Sequence, residues 1–568
     1  MRSETRARRL ERLLPIAGWL PAYRASRLRG DGIGALTAWA IVVPESVAYA
    51  QIAGVPPQNA FYAAPVALVA YALFGSSRHL VVGATSAAAI LSASTVAAVS
   101  PDPARAVALS AALAIIAGVI LIAAGLLRLG FVTNFLPEPA LVGFLFGMAL
   151  IIVVRQAGKL VGVSTGEGDF FQRAWHLLTQ VDQWSPVTMV VGLGAIAALL
   201  LLERLAPKVP ASLVVLAAGI ASSALLDLEG HGVEIVGQIP SAVPTPAIPE
   251  VSRHEVAGLL GGGFGLALIV FAESFSISSR FARQHGYEVD ADQEMLGMGA
   301  ANAAAGLVQG FAVSGSASRT AAVEAAGGSS QMVSLIAAVL VLVTAAFLTP
   351  LFTDLPEPVL GAIVIVAVRG FLRTAPLRRY WRLDRRSFWV AATALLGTLV
   401  FDLLPGLLIA VALSLVWFIG AASRPRLAVL GQLGGGRYGD LLDHPGAATT
   451  PGLLLVRPDG PVFFANANPL RLGVLQLVRT ASPPPRVVVL DLSSSFRLSL
   501  PTLDTLAELH DELQQRGIEL WLARIRSSAM AELQASGLFD RLGPTDLHAT
   551  VDDAVRAHTD SDRQSPSQ

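Results

Sequence analysis

From about residue 31 to residue 423 the chain is a succession of apolar segments, each near the length of a bilayer crossing and separated only by short Pro, Gly and charged punctuation. A helix needs about 20 apolar residues to cross the hydrocarbon core, where every backbone polar group must be bonded internally. The segments fall at 106–127, 139–158, 185–202, 209–226, 256–278, 331–352, 356–372, 387–401 and 404–422. Shorter or Gly/Pro-interrupted ones lie at 32–52, 61–75, 80–99, 292–311 and 315–326, which makes fourteen. The expected fold is an all-α polytopic membrane domain over residues 31–423.

Composition agrees and excludes much else. Hydrophobic residues make up 53% of the chain and charged ones 14%, far from the balance of a soluble domain of this size. A cytosolic enzyme, a disordered chain and a nucleic-acid binder are excluded. The net charge is zero, so no bulk field recruits an acidic partner. Cysteine is absent, which removes disulfides, thiolate metal sites and thiol catalysis. His79, His231 and His285 show no ligand spacing, so no metal or cofactor is expected.

The flanks set the topology. Residues 1–30 are Arg-rich and belong in the cytoplasm. Their acidic, Pro-broken stretch leads into a span with no small-residue cleavage pattern, unlike a removable signal. An even number of spans returns the C-terminal region to the cytoplasm, with the protein in the cell's inner (plasma) membrane. The tail changes grammar: strands at 453–456, 462–464, 486–491 and 518–523 alternate with helices at 468–479, 501–516 and 527–537. Such alternation means a small α/β domain over 453–557. Residues 424–452 read as a linker and 558–568 as a disordered polar tail.

Transporters built from inverted repeats carry broken spans at matching places in their halves. Here Val42-Val-Pro-Glu-Ser-Val-Ala-Tyr49 places Pro44, a helix breaker, beside Glu45 at membrane depth. About 228 residues later Phe271-Ala-Glu-Ser-Phe275 places Glu273 in a second span. Val82-Gly-Ala-Thr-Ser86 is followed about 231 residues on by Val313-Ser-Gly-Ser-Ala-Ser-Arg-Thr320. Two features in one order and at one offset point to a seven-plus-seven inverted repeat.

At these residues the sequence resembles the SulP family of sulfate permeases and other anion transporters, whose animal relatives include prestin. The resemblance rests on Asp31-Gly-Ile-Gly-Ala-Leu-Thr37 running into Val-Pro-Glu-Ser-Val-Ala-Tyr-Ala-Gln51, on Ala53-Gly-Val-Pro-Pro57, and on Tyr71-Ala-Leu-Phe-Gly-Ser-Ser-Arg-His79. Gly286-Tyr-Glu-Val-Asp-Ala-Asp-Gln-Glu294 and the Ser-Gly-Ser-Ala-Ser-Arg-Thr stretch match as well. It spans the whole chain, including a C-terminal STAS domain. It implies core and gate subdomains, a homodimer in membrane lipid, an anion held between half-helices of spans three and ten, and Arg319 as the site arginine.

The residues support that site on their own terms. Ser314-Gly-Ser-Ala-Ser318 opens a helix inside the membrane, where free N–H groups and the dipole's positive end attract an anion. Ser316 and Ser318 are its hydroxyls; Gly83, Thr85 and Ser86 supply the opposing helix start. A cation in a span costs at least about 2.5–3.5 kcal/mol, so Arg319 needs a negative partner: the substrate, Glu324 or a membrane acid. Glu45, with Glu273, is the proton-coupling candidate, because protonation relieves both burial of charge and repulsion from an anion. A salt bridge between Glu45 and Arg319 is the competing use of that carboxylate.

The remaining charges read blandly. Arg78, Arg128, Arg155 and Lys159 sit at span ends and set topology or snorkel. Glu138 and Glu357, each in Leu-Pro-Glu-Pro, mark span starts. In STAS domains that are phosphorylated a strand ends in Asp-Ser-x-Gly; here Leu500, within Ser499-Leu-Pro-Thr502, stands where the acceptor serine would be. The leading function is uptake of an inorganic anion, sulfate favoured, coupled to protons. Bicarbonate or dicarboxylate transport or exchange, a passive anion channel and a membrane scaffold whose output is the STAS domain are the alternatives. Nothing in the sequence marks an enzyme.

Overall fold

The structure is a computed structural model, and it describes residues 14–131, 138–166, 168–206, 209–240, 244–401 and 403–564. Two compact units divide at Leu413/Ser414.

Each apolar segment is a helix, all within the first unit except the last, which crosses the boundary. The first set is α1 (Leu28–Ile52), α2 (Pro57–Phe74), α3 (Ser86–Val99), α4 (Ala106–Leu126), α5 (Glu138–Val161), α6 (Pro186–Leu205) and α7 (Ala211–Leu226). The second set is α8 (Arg253–His285), α9 (Ala291–Leu307), α10 (Ala317–Ala325), α11 (Met332–Val343), α12 (Glu357–Val368), α13 (Arg385–Phe401) and α14 (Leu403–Ala422). Among the described residues seven are long and apolar enough to cross a membrane by length and composition: α1, α4, α5, α6, α8, and the helical runs that α11 and α12 begin. Pro44, expected to break the first span, lies inside a continuous α1. Its missing N–H removes only the bond that would reach the Ala40 carbonyl.

Helix contacts come in pairs related by a shift of seven. α4 packs on α9 as α11 does on α2; α8 packs on α4 as α1 does on α11; α3 packs on α8 as α10 does on α1. These helices form one group, and α5, α6, α7, α12 and α13 form a second, with α5 packed on α13 and α12 on α6. Contacts between the groups run mainly through α1, which touches α7 and α12. Small residues allow the closest crossing: a Cβ on Gly118 would stand 2.6 Å from the Ala303 nitrogen, and one on Gly299 would stand 2.8 Å from the Gly118 carbonyl oxygen. Leucine-sized residues there would push α4 off α9.

Ahead of α3 and α10 run two short extended segments, β1 (Val82–Gly83) and β2 (Ser314–Gly315). They pair antiparallel, Val82 with Gly315 and Gly83 with Ser314. The Ser316 N–H donates to the Val81 carbonyl at 3.2 Å and the Val81 N–H to Thr320 Oγ1 at 3.1 Å. The two segments thus satisfy each other's backbone groups where they run inside the bundle.

The second unit is an α/β layer. Its sheet has β3 (Leu427–Gly434), β4 (Arg437–Asp440), β5 (Leu453–Pro458), β6 (Val487–Asp491), β7 (Glu519–Ala523) and β8 (Leu547–His548), in the order β4-β3-β5-β6-β7-β8. β5 to β8 are parallel, and β3 is antiparallel to both neighbours. Helices α15 (Ala467–Thr480), α16 (Leu500–Gln514), α17 (Ser527–Ala535) and α18 (Leu538–Leu542) share a core with one face; α19 (Val551–Gln564) covers the other.

Three sequence expectations change here. Residues 424–452, read as a linker, contain β3 and β4, because Leu427 and Val429 pack on one face of the sheet while Ala428 and Leu430 are buried on the other. Residues 462–464 form no strand: the Val462 N–H is taken by Ser495 Oγ at 3.0 Å and the Phe463 N–H by Asn466 Oδ1 at 2.8 Å. Of the tail 558–568, residues through Gln564 continue α19, and the last four lie outside the described residues.

Candidate functional site

The two helix starts meet over one arginine. Arg319 lies in the first turn of α10 and is fully buried. Its Nη2 donates to the Ala84 carbonyl at 2.6 Å, on the link between β1 and α3. Its Nε lies 3.4 Å from Glu45 Oε2, ion-pair range without a hydrogen bond. Nε and Nη1 make no hydrogen bond to protein atoms among the described residues. Such unspent donors on a buried cation are costly unless an acceptor joins them.

Gly83 is what lets the guanidinium sit there. A Cβ on it would stand 2.2 Å from Arg319 Nη1. Thr85 and Ser316 occupy equivalent places as caps of α3 and α10: Thr85 Oγ1 accepts the Ala88 N–H and Ser316 Oγ the Arg319 N–H, each at 3.4 Å. Those oxygens therefore serve the helix starts first. Ser86 is buried at the start of α3; Ser318 is exposed, with its Oγ 3.1 Å from Ser316 Oγ.

The two acids part company. Glu45 sits beside Arg319, whereas Glu273 Oε2 accepts a hydrogen bond from Ser314 Oγ of β2 at 2.9 Å. Glu324, the other partner the sequence offered for Arg319, pairs instead with His285 Nε2 at 2.5 Å. Several contributors were not singled out as site residues in the sequence. Ser274 Oγ accepts the Gly315 N–H at 2.9 Å, and Asn302 bonds both the N–H and the carbonyl of Val313. Tyr49, one turn beyond Glu45 on α1, is buried. Asn302, a buried amide on α9, is the one that its residue type could have flagged.

A cleft of about 740 Å³ reaches this site. Glu45 and Ser318 line its inner part, and Ile33, Thr37 and Ile41 continue from Glu45 along one stripe of α1 toward that helix's N-terminus. The facing wall comes from α6, α7 and α12, with Glu203, Arg369 and Arg373. The arrangement thus offers a water-accessible passage to a carboxylate, a buried guanidinium with free donors, and two converging helix N-termini. Among the described residues it shows no nucleophile–base pair for covalent chemistry.

In the α/β unit the polar residues after β6 are structural ties. Asp491 is buried and accepts from Arg524, and this partnership raises the Arg524 guanidinium above its already high value. Ser494 Oγ donates to the Pro458 and Gly460 carbonyls. Leu500 begins α16 exposed to solvent.

A bundle whose paired half-helices cross at a buried charge is the architecture of a membrane transporter. Comparison with known proteins makes this specific. Residues 28–394 match the sulfate permease family and residues 444–554 the STAS domain. A probable sulfate transporter of Mycobacterium tuberculosis is 35% identical over 550 residues, 95% of this chain and 98% of the relative. A low affinity sulfate transporter of Stylosanthes hamata is 30% identical, covering 98% and 92%. The solved structure of murine Solute Carrier 26 family member A9 superposes with a TM-score of 0.90 at 24% identity, over 96% of this chain and 94% of that one. The transmembrane domain of a cyanobacterial bicarbonate transporter gives 0.62 at 23% identity, over 68% and 98%. The chain belongs to the sulfate permease family: it is a multi-pass anion transporter with a C-terminal STAS domain, not an enzyme.

Proposed function

We propose that this protein takes up sulfate across the plasma membrane in symport with protons, as a homodimer in membrane lipid with residues 1–30 and the STAS domain in the cytoplasm. The anion binds between the N-termini of α3 and α10, on Arg319, with Gly83, Thr85, Ser86, Ser316 and Ser318 around it. One observation carries the reading: Arg319 is fully buried, yet Nε and Nη1 have no hydrogen-bond partner among the described residues. A tetrahedral oxyanion supplies the missing acceptors, and the helix dipoles add to the attraction. The sulfate transporters among its relatives favour sulfate as that oxyanion.

Glu45 joins anion to proton. Its carboxylate balances the guanidinium at 3.4 Å. An arriving anion takes over that role and leaves a buried carboxylate beside a second negative charge, so Glu45 binds a proton from the cleft. Anion and proton then favour one another by the same factor. Glu273, tied to Ser314, is the second acid able to take part.

Reconstitution tests this. Proteoliposomes should accumulate radiolabelled sulfate when the side facing residues 1–30 is the more alkaline, and Arg319→Ala should abolish saturable uptake while leaving the thermal unfolding of the full chain in place. Downhill leak alone would make it a channel. Preference for bicarbonate or a dicarboxylate in competition would replace sulfate as the substrate.

A further inference from the structure

We infer that Gln51 is the latch that closes the passage on the side opposite the cleft, by plugging into a donor–acceptor socket made by Lys159 and Glu357. The inference rests on the transport reading above, in which α1 moves against α5 and α12 as the site changes the side it faces. The cleft runs from Glu45 toward the N-terminus of α1. Gln51 lies near the other end of that helix.

There the Lys159 ammonium donates to Gln51 Oε1 at 2.8 Å, and Gln51 Nε2 donates to Glu357 Oε1 at 3.2 Å. Lys159 Nζ and Glu357 Oε2 are themselves 3.0 Å apart. One primary amide thus answers a cation with its oxygen and an anion with its nitrogen. Both ions belong to the second helix group, Lys159 in the last turn of α5 and Glu357 in the first turn of α12. Gln51 belongs to the first group.

The socket is held rigidly. A Cβ on Gly361 of α12 would lie 3.4 Å from the Gln156 carbonyl oxygen and 3.5 Å from Lys159 Cβ, so α5 and α12 are in close contact at this level. The segment after α7 braces the start of α12: the Val236 N–H donates to the Leu355 carbonyl and the Glu357 N–H to the Glu234 carbonyl. With α5 and α12 fixed to each other, the hydrogen bonds of Gln51 are the ones that must break for α1 to part from them. Each ion also suits its own helix end, a cation at a C-terminus and an anion at an N-terminus, so the pair outlasts the loss of Gln51. Charge-assisted hydrogen bonds that exist in one state only bias the equilibrium toward that state.

The absence of cysteine makes the test direct. A single Thr37→Cys in the cleft wall is labelled with a membrane-impermeant maleimide applied from the α1 N-terminal side of oriented vesicles. The added variants are Gln51→Leu, which removes both bonds, and Gln51→Glu, which keeps the Lys159 bond but faces Glu357 with a like charge. The expected result is that each slows labelling at least ~fivefold, a shift of population away from the open-cleft state, and that Gln51→Leu has no further effect once Lys159→Met and Glu357→Gln are present. Folding is checked by gel filtration and thermal unfolding of each full-length variant. If a variant proves unstable, Gln51→Asn, which keeps the amide but shortens its reach, is read in the same way. Unchanged labelling in folded variants, or an undiminished effect of Gln51→Leu in the double-variant background, would overturn the latch. The transport reading has its own readout, because labelling needs no flux, and sulfate uptake by Thr37→Cys alone reports on it separately.

Discussion

The guanidinium of Arg319 occupies the space that a side chain on residue 83 would need: its Nη1 lies 2.2 Å from where a Gly83 Cβ would be. The two residues belong to opposite halves of the chain, one before α3 and the other at the start of α10. A single missing methyl group in the first half thus defines where the charge of the second half rests.

On the proposed anion site, Gly83→Ala should act on binding as well as on packing. The added methyl pushes the guanidinium off the Ala84 carbonyl, and overpacking of this kind costs about 1–3 kcal/mol. The expectation is a loss of at least ~tenfold in sulfate affinity, since one good charged hydrogen bond is worth about 1.5–3 kcal/mol. Equilibrium binding to the purified chain measures it. Affinity equal to that of the parent would show that the arginine is not confined by this contact.

A second prediction concerns the α/β unit. Arg524→Ala strands the buried Asp491 carboxylate at the end of β6, which among the described residues keeps its bond from the Ser493 N–H alone. Arg524 is partly exposed and water can replace some of what is lost, so the cost falls to about 1–3 kcal/mol. Hydrogen exchange in β6 and β7 of the full chain should speed up accordingly, with helices of the first unit unchanged.

A third uses acid. Glu532 of α17 accepts from the Leu498 N–H at 2.6 Å and Arg497 Nε at 2.8 Å, and these bonds, the backbone one first, hold its carboxyl below the usual value of about 4.5. A depressed folded pKa gives stability that is complete above the unfolded value and is lost as pH falls through the folded one. Protection of the Leu498 amide, corrected for intrinsic exchange, should therefore decline below about pH 4.5. In Glu532→Gln that decline should be absent.

The sequence disclosed the bundle because span length and apolarity are local properties, and it disclosed Arg319 because a cation in such a segment stands out by type alone. Gly83 could be named as part of a helix start, but its steric role depends on a residue 236 positions away. Lys159 and Glu357 read as a snorkelling cation and a span-start marker, since nothing in either segment reveals that Gln51 joins them. The strands β3 and β4 were hidden for another reason. They are short, Gly-rich and half polar, so their alternation is too brief to stand out from a linker, and the sheet beside them supplies the partner that settles their conformation. Thr85 and Ser316 were legible as hydroxyls at helix starts, but not as caps that spend an acceptor on their own helices.

The last prediction separates the two uses of Glu45. If the carboxylate serves only to neutralise Arg319, then Glu45→Gln leaves a buried cation without its counter-charge, and losing one partner of a buried pair costs about 3–5 kcal/mol. Folding or expression would then suffer. If the carboxylate alternates between pairing with Arg319 and carrying a proton, Gln mimics its protonated form. Binding of sulfate by Glu45→Gln should then become independent of pH, with affinity at neutral pH at least equal to that of the parent, because the carboxylate no longer competes for the guanidinium. Uphill uptake driven by a pH gradient should vanish while downhill exchange of labelled for unlabelled sulfate persists. The sign follows from linkage: in the parent, proton binding and anion binding strengthen each other, so affinity rises as pH falls through the range in which Glu45 titrates. Acid-driven accumulation that survives in Glu45→Gln would move the coupling to Glu273, which accepts a hydrogen bond from Ser314 of β2.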